Sequence, residues 1–374
     1  MTGLMRNALA VAALLTVLAG SARAADPPGL ESLKQAAAAG NPGPLLDQGL
    51  CYYFGECAEQ SYSKAFDIFK YLAETGLASA QSAVGKMYEE GLGTSINMEQ
   101  AVKWYRRAAD QNFDRAQYHL GRAYELGLGL KRDPAQAVRW YRKAADQGLD
   151  IAQFALGCAY DTGLGLEKNP AQAARWYRKA ADQGLASAQI NLGVAYGLGE
   201  GIAVDKAEAV RWYRRAAEQG DPDARLYLGR SYQRGEGVDK DEAEAARWFA
   251  LAARQGQAEA QYHLAVAYDK GQGRRKDPNQ AIHWYTAAAE QGDVNAQYNL
   301  GASYYNGEGV PRDLSQAIKF FTLAASGGDA DAQFALGEIY LEGDGAAPNQ
   351  READKWFSLA AEQGHAKALK QIGR

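Results

Sequence analysis

An all-α solenoid of helix–turn–helix repeats is the fold class this sequence predicts, and three observations predict it. The stretch Ala116–Ile151, AQYHLGRAYELGLGLKRDPAQAVRWYRKAADQGLDI, returns every thirty-six residues, and the copies run without insertion from Ala80 to Lys367. Every copy carries a Gly-x-Gly pair at one place, such as Gly127 and Gly129. Every copy also carries Asn or Asp followed three residues later by Gln or Glu, as at Asp133 and Gln136. Self-similarity at a period of about 20–50 residues marks a stacked array. Such an array grows along one axis, so 374 residues need not divide into separate globular cores.

The chain opens on an expected address. Arg6, the apolar run Ala8–Leu18 and Ala22-Arg23-Ala24 read as a secretory signal over residues 1–24, cleaved before Ala25. The apolar run is shorter than the about 20 residues that span a bilayer, and nothing later in the chain matches it. The expectation is a periplasmic or secreted protein of a Gram-negative-type bacterium, without a membrane span once the signal is removed. Residues 25–43 form a lead, with a short helix over Leu30–Ala39 ended by Gly40-Asn41-Pro42.

Residues 44–79 match the repeat loosely. Gly49, Tyr52, Gly55, Ala65, Phe69 and Ala73 fall where Gly85, Tyr88, Gly91, Ala101, Tyr105 and Ala109 stand in the next copy. A degenerate opening copy is normal at the end of a solenoid. Eight regular copies occupy 80–367, and residues 368–374 begin a further copy that serves as a capping helix.

Within a copy, Gln117, Leu120, Gly121 and Tyr124 recur at helical spacing and place a first helix from about Ala116 to Leu126. Gly127 ends it, because glycine takes the left-handed conformation that helix ends need. The second helix opens at Asp133-Pro134-Ala135-Gln136, where Asp caps free N–H groups, Pro suits the first helical position and Gln closes a capping box. It runs to Gln147 and breaks at Gly148.

These features resemble the Sel1-like repeat, a relative of the tetratricopeptide repeat. The resemblance rests on Leu120-Gly121-x-x-Tyr124, Gly127-x-Gly129, Ala137 and Trp140-Tyr141-x-x-Ala144-Ala145-x-Gln147-Gly148, and it covers Ala80–Lys367. It implies a right-handed α/α superhelix used as a protein-interaction scaffold, with the first helices lining the concave face. Some cysteine-rich relatives carry one disulfide per repeat and bind penicillin-like ligands. This chain lacks that regular pairing, so a β-lactam-binding or hydrolysing envelope protein is a remote reading.

All seven tryptophans occupy one column, Trp104, Trp140, Trp176, Trp212, Trp248, Trp284 and Trp356, with Phe320 once in their place. Seven copies of one aromatic predict an inter-helix spine rather than a ligand cage. Gly121 and its equivalents sit mid-helix at a cost of about 1 kcal/mol each, which close helix packing must offset. The tyrosines of the Tyr124 column are expected to bond their hydroxyls at the helix end.

If shared columns are frame, the differing ones carry specificity. On the first helix these lie at i, i+3 and i+7, one stripe of the surface. They include His119 and Arg122, then Tyr227, Arg230 and Arg234, then His263 and Lys270. The last five predict a basic patch for an acidic or carboxylate-bearing protein or peptide partner. An envelope carbohydrate or peptidoglycan module is the alternative reading of the exposed Tyr and Asn groups.

Catalysis and cofactors are not expected. The sequence has no His-Glu-x-x-His, no Gly-x-Ser-x-Gly and no phosphate loop. Gly-x-Gly follows a helix, not the strand a dinucleotide site requires. His119 and His263 stand four copies apart, too far to share a metal, and Glu89-Glu90 reads as exposed charge. A formal net charge of −4 argues against nucleic acid, which demands a basic stripe that this reading does not find. Of three cysteines, Cys51 and Cys57 are placed for a disulfide across the first turn of the degenerate copy, and Cys158 falls in the variable stripe as an exposed thiol.

Overall fold

The computed structural model describes residues 30–373, all helix and turn with no strand among them. The expected signal over residues 1–24 lies outside the described residues. The chain divides into two units, the first reaching Lys131 and the second starting at Arg132. In the first unit the helices are α1 (Leu30–Ala38), α2 (Gly43–Phe54), α3 (Tyr62–Glu74), α4 (Ala78–Glu90), α5 (Met98–Asp110) and α6 (Asp114–Leu126). The second begins with α7 (Pro134–Asp146), α8 (Asp150–Thr162), α9 (Pro170–Asp182), α10 (Ala186–Leu198) and α11 (Lys206–Glu218). It continues with α12 (Pro222–Arg234), α13 (Glu242–Ala253), α14 (Ala258–Lys270), α15 (Pro278–Glu290) and α16 (Val294–Asn306). Its last helices are α17 (Leu314–Ser326), α18 (Ala330–Glu342), α19 (Gln350–Glu362) and α20 (Ala366–Ile372). Each unit is a run of antiparallel helix pairs in which every helix packs on the next one in sequence.

The caps explain why these helices are so uniform in length. Asn169 Oδ1 accepts from the Gln172 amide at 3.0 Å, and the device recurs at Asp133, Asp205, Asp241, Asp277, Asp313 and Asn349. The cap is tied to the first helix as well: the Asn169 amide donates to the Tyr160 carbonyl at 2.7 Å. First helices start two residues before the expected Ala116-type position. A single extended residue, Leu149, follows the left-handed Gly148 (φ 98°), and α8 starts directly after it.

The paired glycines have different tasks. Gly163 (φ 79°) closes α8, and the nearest atom to an added Cβ would be Lys168 Cβ at 3.5 Å. Gly165 (φ 68°) meets the preceding repeat, because a Cβ there would lie 2.2 Å from the Pro134 carbonyl oxygen. Gly201, Gly237 and Gly273 press in the same way on Pro170, Lys206 and Glu242. The second glycine is the stacking contact between repeats.

The aromatic spine is not the tryptophan column. Of the tryptophans only Trp104 and Trp212 are buried, and the others are half-buried. The neighbouring column is buried throughout: Tyr105, Tyr141, Tyr177, Tyr213, Phe249, Tyr285, Phe321 and Phe357. Those rings lie against the mid-helix glycines. A Cβ on Gly157 would sit 2.7 Å from the Tyr177 ring, and one on Gly229 would sit 2.6 Å from Phe249. The close approach that offsets the propensity cost of a helical glycine is therefore a ring face on the backbone.

A buried amide ladder supplements the apolar core. Gln153 donates to the Ala145 carbonyl at 3.2 Å and accepts from Gln183 at 2.9 Å, so one side chain joins α7, α8 and α9. Gln189, Gln261 and Gln333 repeat both bonds. Where Arg225 replaces Gln, its Nε donates to the Ala217 carbonyl and its Nη1 to Gln255, so the link persists. Buried polar groups are tolerated only when bonded in this way.

At the N-terminal end Cys51 and Cys57 are paired as a disulfide, with Cα atoms 5.4 Å apart. At the other end His365 caps α20, accepting from the Ala368 amide at 3.2 Å and meeting Asp331 at 3.1 Å.

Candidate partner-binding face

The variable stripe of the first helices is partly frame. In the first unit His119 stacks on Tyr105 of α5, with centroids 4.8 Å apart and planes 5° from parallel. Glu89 of α4 organises its surroundings: it accepts from Tyr105 Oη at 2.6 Å and from Arg122 at 3.4 Å, and lies 3.6 Å from His119 Nδ1. Glu89 is thus a half-buried hub and not exposed charge. Burial, reinforced by the positive charges of Arg122, Lys86 and Arg115, pushes the His119 imidazole down to about 3. Burial and the adjoining Glu89 carboxylate raise the Tyr105 hydroxyl well above its ordinary range.

In the second unit Tyr227 stacks on Tyr213 at 5.1 Å and His263 on Phe249 at 4.7 Å. Position i of the stripe therefore covers a spine ring of the preceding second helix. Arg230 donates to Glu259 at 2.9 Å, and His263 Nε2 lies 3.6 Å from the same oxygen. Burial lowers the His263 imidazole, Glu259 opposes that shift, and Arg230 and Arg234 add to it. The expected patch of five residues resolves into two kinds. Tyr227, His263 and Arg230 are held in packing or an ion pair, whereas Arg234 and Lys270 are exposed. Beside His263 a small cleft of about 110 Å³ is lined by Gln233, Lys240, Glu242 and Phe249.

Cys158 is half-buried and accepts from Tyr177 Oη at 3.6 Å, so it is not the exposed thiol expected. Among the described residues no group of His, Cys, Asp and Glu is arranged to hold a metal ion.

Four tyrosines of the Tyr124 column, Tyr124, Tyr160, Tyr196 and Tyr232, bond to arginines of the preceding second helix and not at their own helix end. Arg142 donates to Tyr160 at 2.5 Å, Arg214 to Tyr232 at 2.6 Å and Arg178 to Tyr196; in the first unit Arg106 serves Tyr124 at 2.6 Å. The residue after each arginine covers an indole face: Lys143 lies 4.1 Å from the Trp140 centroid, Lys179 3.7 Å from Trp176 and Arg215 4.4 Å from Trp212. Cation–π pairs of this kind contribute about 0.5–1 kcal/mol where exposed.

The Sel1 repeat model matches nine consecutive segments: 49–76, 78–113, 114–149, 150–185, 186–221, 222–257, 258–293, 294–329 and 330–365. The chain belongs to the Sel1-repeat family. Among solved structures, this Sel1-repeat chain is similar to c5321, a protective antigen of uropathogenic Escherichia coli with an SLR fold. The identity is 39%, covering 92% of this chain and 74% of that one, with a TM-score of 0.81. It is also similar to a Sel1 repeat protein from Oxalobacter formigenes, 30% identical over 97% of this chain and 99% of that one, with a TM-score of 0.64. A curated relative, the chitin synthase regulator SKT5 of Saccharomyces cerevisiae, is 40% identical over 79 residues, and the chain spans 11% of its length.

Sel1-repeat scaffolds commonly serve as protein-interaction modules, which agrees with a frame that consumes most of its aromatic side chains in packing. Sequence reasoning missed Glu89 and the arginine–tyrosine ladder. Their signal was available as fixed separations, sixteen residues from Glu89 to Tyr105 and eighteen from each arginine to its tyrosine.

Proposed function

We propose that this Sel1-repeat chain is a non-enzymatic adaptor of the periplasm or extracellular space that holds a protein or peptide partner along its first-helix stripe. One observation carries the reading. In the second unit Arg234 and Lys270 are exposed at the ends of α12 and α14, while Tyr227 and His263 offer half-buried ring edges held rigid by stacking. Pre-positioned rings beside exposed cations, for which no ion pair is formed among the described residues, suit a partner segment that carries both apolar and carboxylate groups. The expected signal over residues 1–24 and a relative described as a protective antigen support an envelope or secreted location.

Arg234→Glu with Lys270→Glu tests the reading better than a variant that includes Arg230, whose loss would strand Glu259. Photoreactive residues at positions 227 and 263 should capture a partner in living cells. The double variant should reduce that capture about tenfold or more. Unchanged capture by a folded double variant sinks the proposal, and loss of capture after glycan digestion moves the reading to a carbohydrate ligand.

An oxidising compartment also sustains the Cys51–Cys57 bridge. The denatured secreted protein should then expose a single reactive thiol, that of Cys158. Three reactive thiols would contradict both the bridge and the compartment. Replacing Cys51 and Cys57 together by Ser should cost the opening repeat about 2 kcal/mol, the closure entropy of so short a loop.

A further inference from the structure

The second helices of the second unit carry a cationic face that the first-helix reading does not use. On α7, Arg139, Arg142 and Lys143 stand at i, i+3 and i+4, all exposed, so they share one side of the helix. The same three columns are filled by cations on α9 and α11, with Arg175 and Arg211 in the outer one. The stripe absent from the linear reading is therefore present once the repeats stack. It is bounded: on α13, Ala250 and Leu251 take the inner two columns, and Arg247 is paired with Glu244 at 2.8 Å.

We propose that this face of α7, α9 and α11 docks an acidic polypeptide segment, running across the helices and separate from the first-helix stripe. The inner two columns are held in place by Tyr160, Tyr196 and Tyr232 and by the indoles beneath them, so their donors are preorganised. In the outer column, among the described residues, Arg139 and Arg175 have no carboxylate within salt-bridge reach. Arg211 reaches only Glu208, at 3.0 Å, with 75% of its side chain exposed. Like charges at i and i+4, as at Arg139 and Lys143 or Arg175 and Lys179, destabilise a helix, and no ion pair to Arg139 or Arg175 among the described residues offsets that cost. Planar guanidinium groups match carboxylates in two-point contact.

The face also decides against a continuous anionic surface. Asp146, Asp182 and Glu218 stand at i+7 on the same side, and α11 adds Glu208 at i−3, where it pairs with Arg211. A lipid headgroup layer or a phosphodiester chain would press on these acids, whereas discrete Asp and Glu side chains of a peptide can pass between them.

The test uses the full mature chain carrying Arg234→Glu and Lys270→Glu, so that the first-helix stripe does not contribute, and a fluorescent Glu-rich peptide as probe. Anisotropy should report saturable binding that weakens steeply with salt. Adding Arg139→Glu, Arg175→Glu and Arg211→Glu should weaken the peptide about tenfold or more. Among the described residues these side chains make no ion pair except Arg211 with Glu208 at 3.0 Å on its own helix, and circular dichroism checks the fold. Arg139→Gln, Arg175→Gln and Arg211→Gln, which remove charge without reversing it, should give a smaller loss of the same sign. No binding by the parent chain, or equal affinity in a folded charge-reversed chain, overturns the proposal. Tighter capture of phosphatidylglycerol vesicles or single-stranded RNA than of the peptide overturns it in favour of those surfaces.

Discussion

Gly165→Ala should destabilise the second unit by about 3 kcal/mol, while Gly163→Ala, two residues earlier, should cost about 1 kcal/mol. Both positions are left-handed, φ 68° and 79°, so both substitutions carry the steric cost of an L-residue there, about 1–2 kcal/mol. Their surroundings separate them. At Gly163 the nearest neighbour of a new Cβ is Lys168 Cβ at 3.5 Å, an ordinary contact on a side chain that can shift. At Gly165 it is the Pro134 carbonyl oxygen at 2.2 Å, with the Ala135 nitrogen at 2.8 Å. Backbone at the start of α7 cannot yield without moving the helix, so overpacking adds about 1–3 kcal/mol.

Urea unfolding followed by tryptophan fluorescence measures both losses. Stacked repeats can open in parts, so amide exchange in α7 and α8 should accompany it. Protection of both helices should fall much further in Gly165→Ala than in Gly163→Ala, in proportion to the two losses. Equal losses would mean that left-handed strain accounts for everything and that Gly165 is not a stacking contact.

The contrast between these glycines shows what the chain reveals before folding. Gly-x-Gly is legible as a stop signal because helix termination is local: the left-handed residue acts on its own turn. The second glycine acts on Pro134, thirty-one residues earlier, and only repeat stacking brings the two together. The capping boxes at Asn169 and Asp205 were legible for the same local reason. Recurrence of one large aromatic at a single repeat position points to Trp140 and its equivalents as the spine. The structure gives it to Tyr141, since the next residue on the helix turns inward.

The candidate site was partly legible. Variation between copies picked out Arg234 and Lys270, but it equally picked out His119 and Tyr227, which vary while filling frame positions over Tyr105 and Tyr213. Net charge concealed the cationic face. Summed along the chain, the cations of α7, α9 and α11 cancel against acids elsewhere, as on α18 with Asp331, Glu338 and Glu342. The cations at i, i+3 and i+4 in the copies that form α7, α9 and α11 are the signal that finds it.

His119 gives the strongest pH dependence expected of the first unit. The imidazole is stacked on Tyr105, its Nδ1 has no hydrogen-bond partner among the described residues, and its side chain is 21% exposed. Burial and the charges of Arg122, Lys86 and Arg115 hold it at about 3, against an ordinary value near 6.5. Glu89, the carboxylate facing it, is already engaged by Tyr105 and Arg122. A folded-state value below the unfolded one means that the unfolded chain binds a proton the folded chain refuses. Stability is then full above about pH 6.5 and is lost as pH falls toward the folded value, at up to about 1.4 kcal/mol per unit. Between pH 7 and 4.5 the loss should approach about 2.5 kcal/mol, before most carboxylates titrate. His119→Phe keeps a ring over Tyr105 and removes the titration. Its denaturation midpoint should change far less across that interval, read by exchange protection of α5 and α6 so that the lowered His263 of the second unit does not contribute. An unchanged slope in His119→Phe would show that the imidazole takes its proton within the fold, with Glu89 reorienting to receive it.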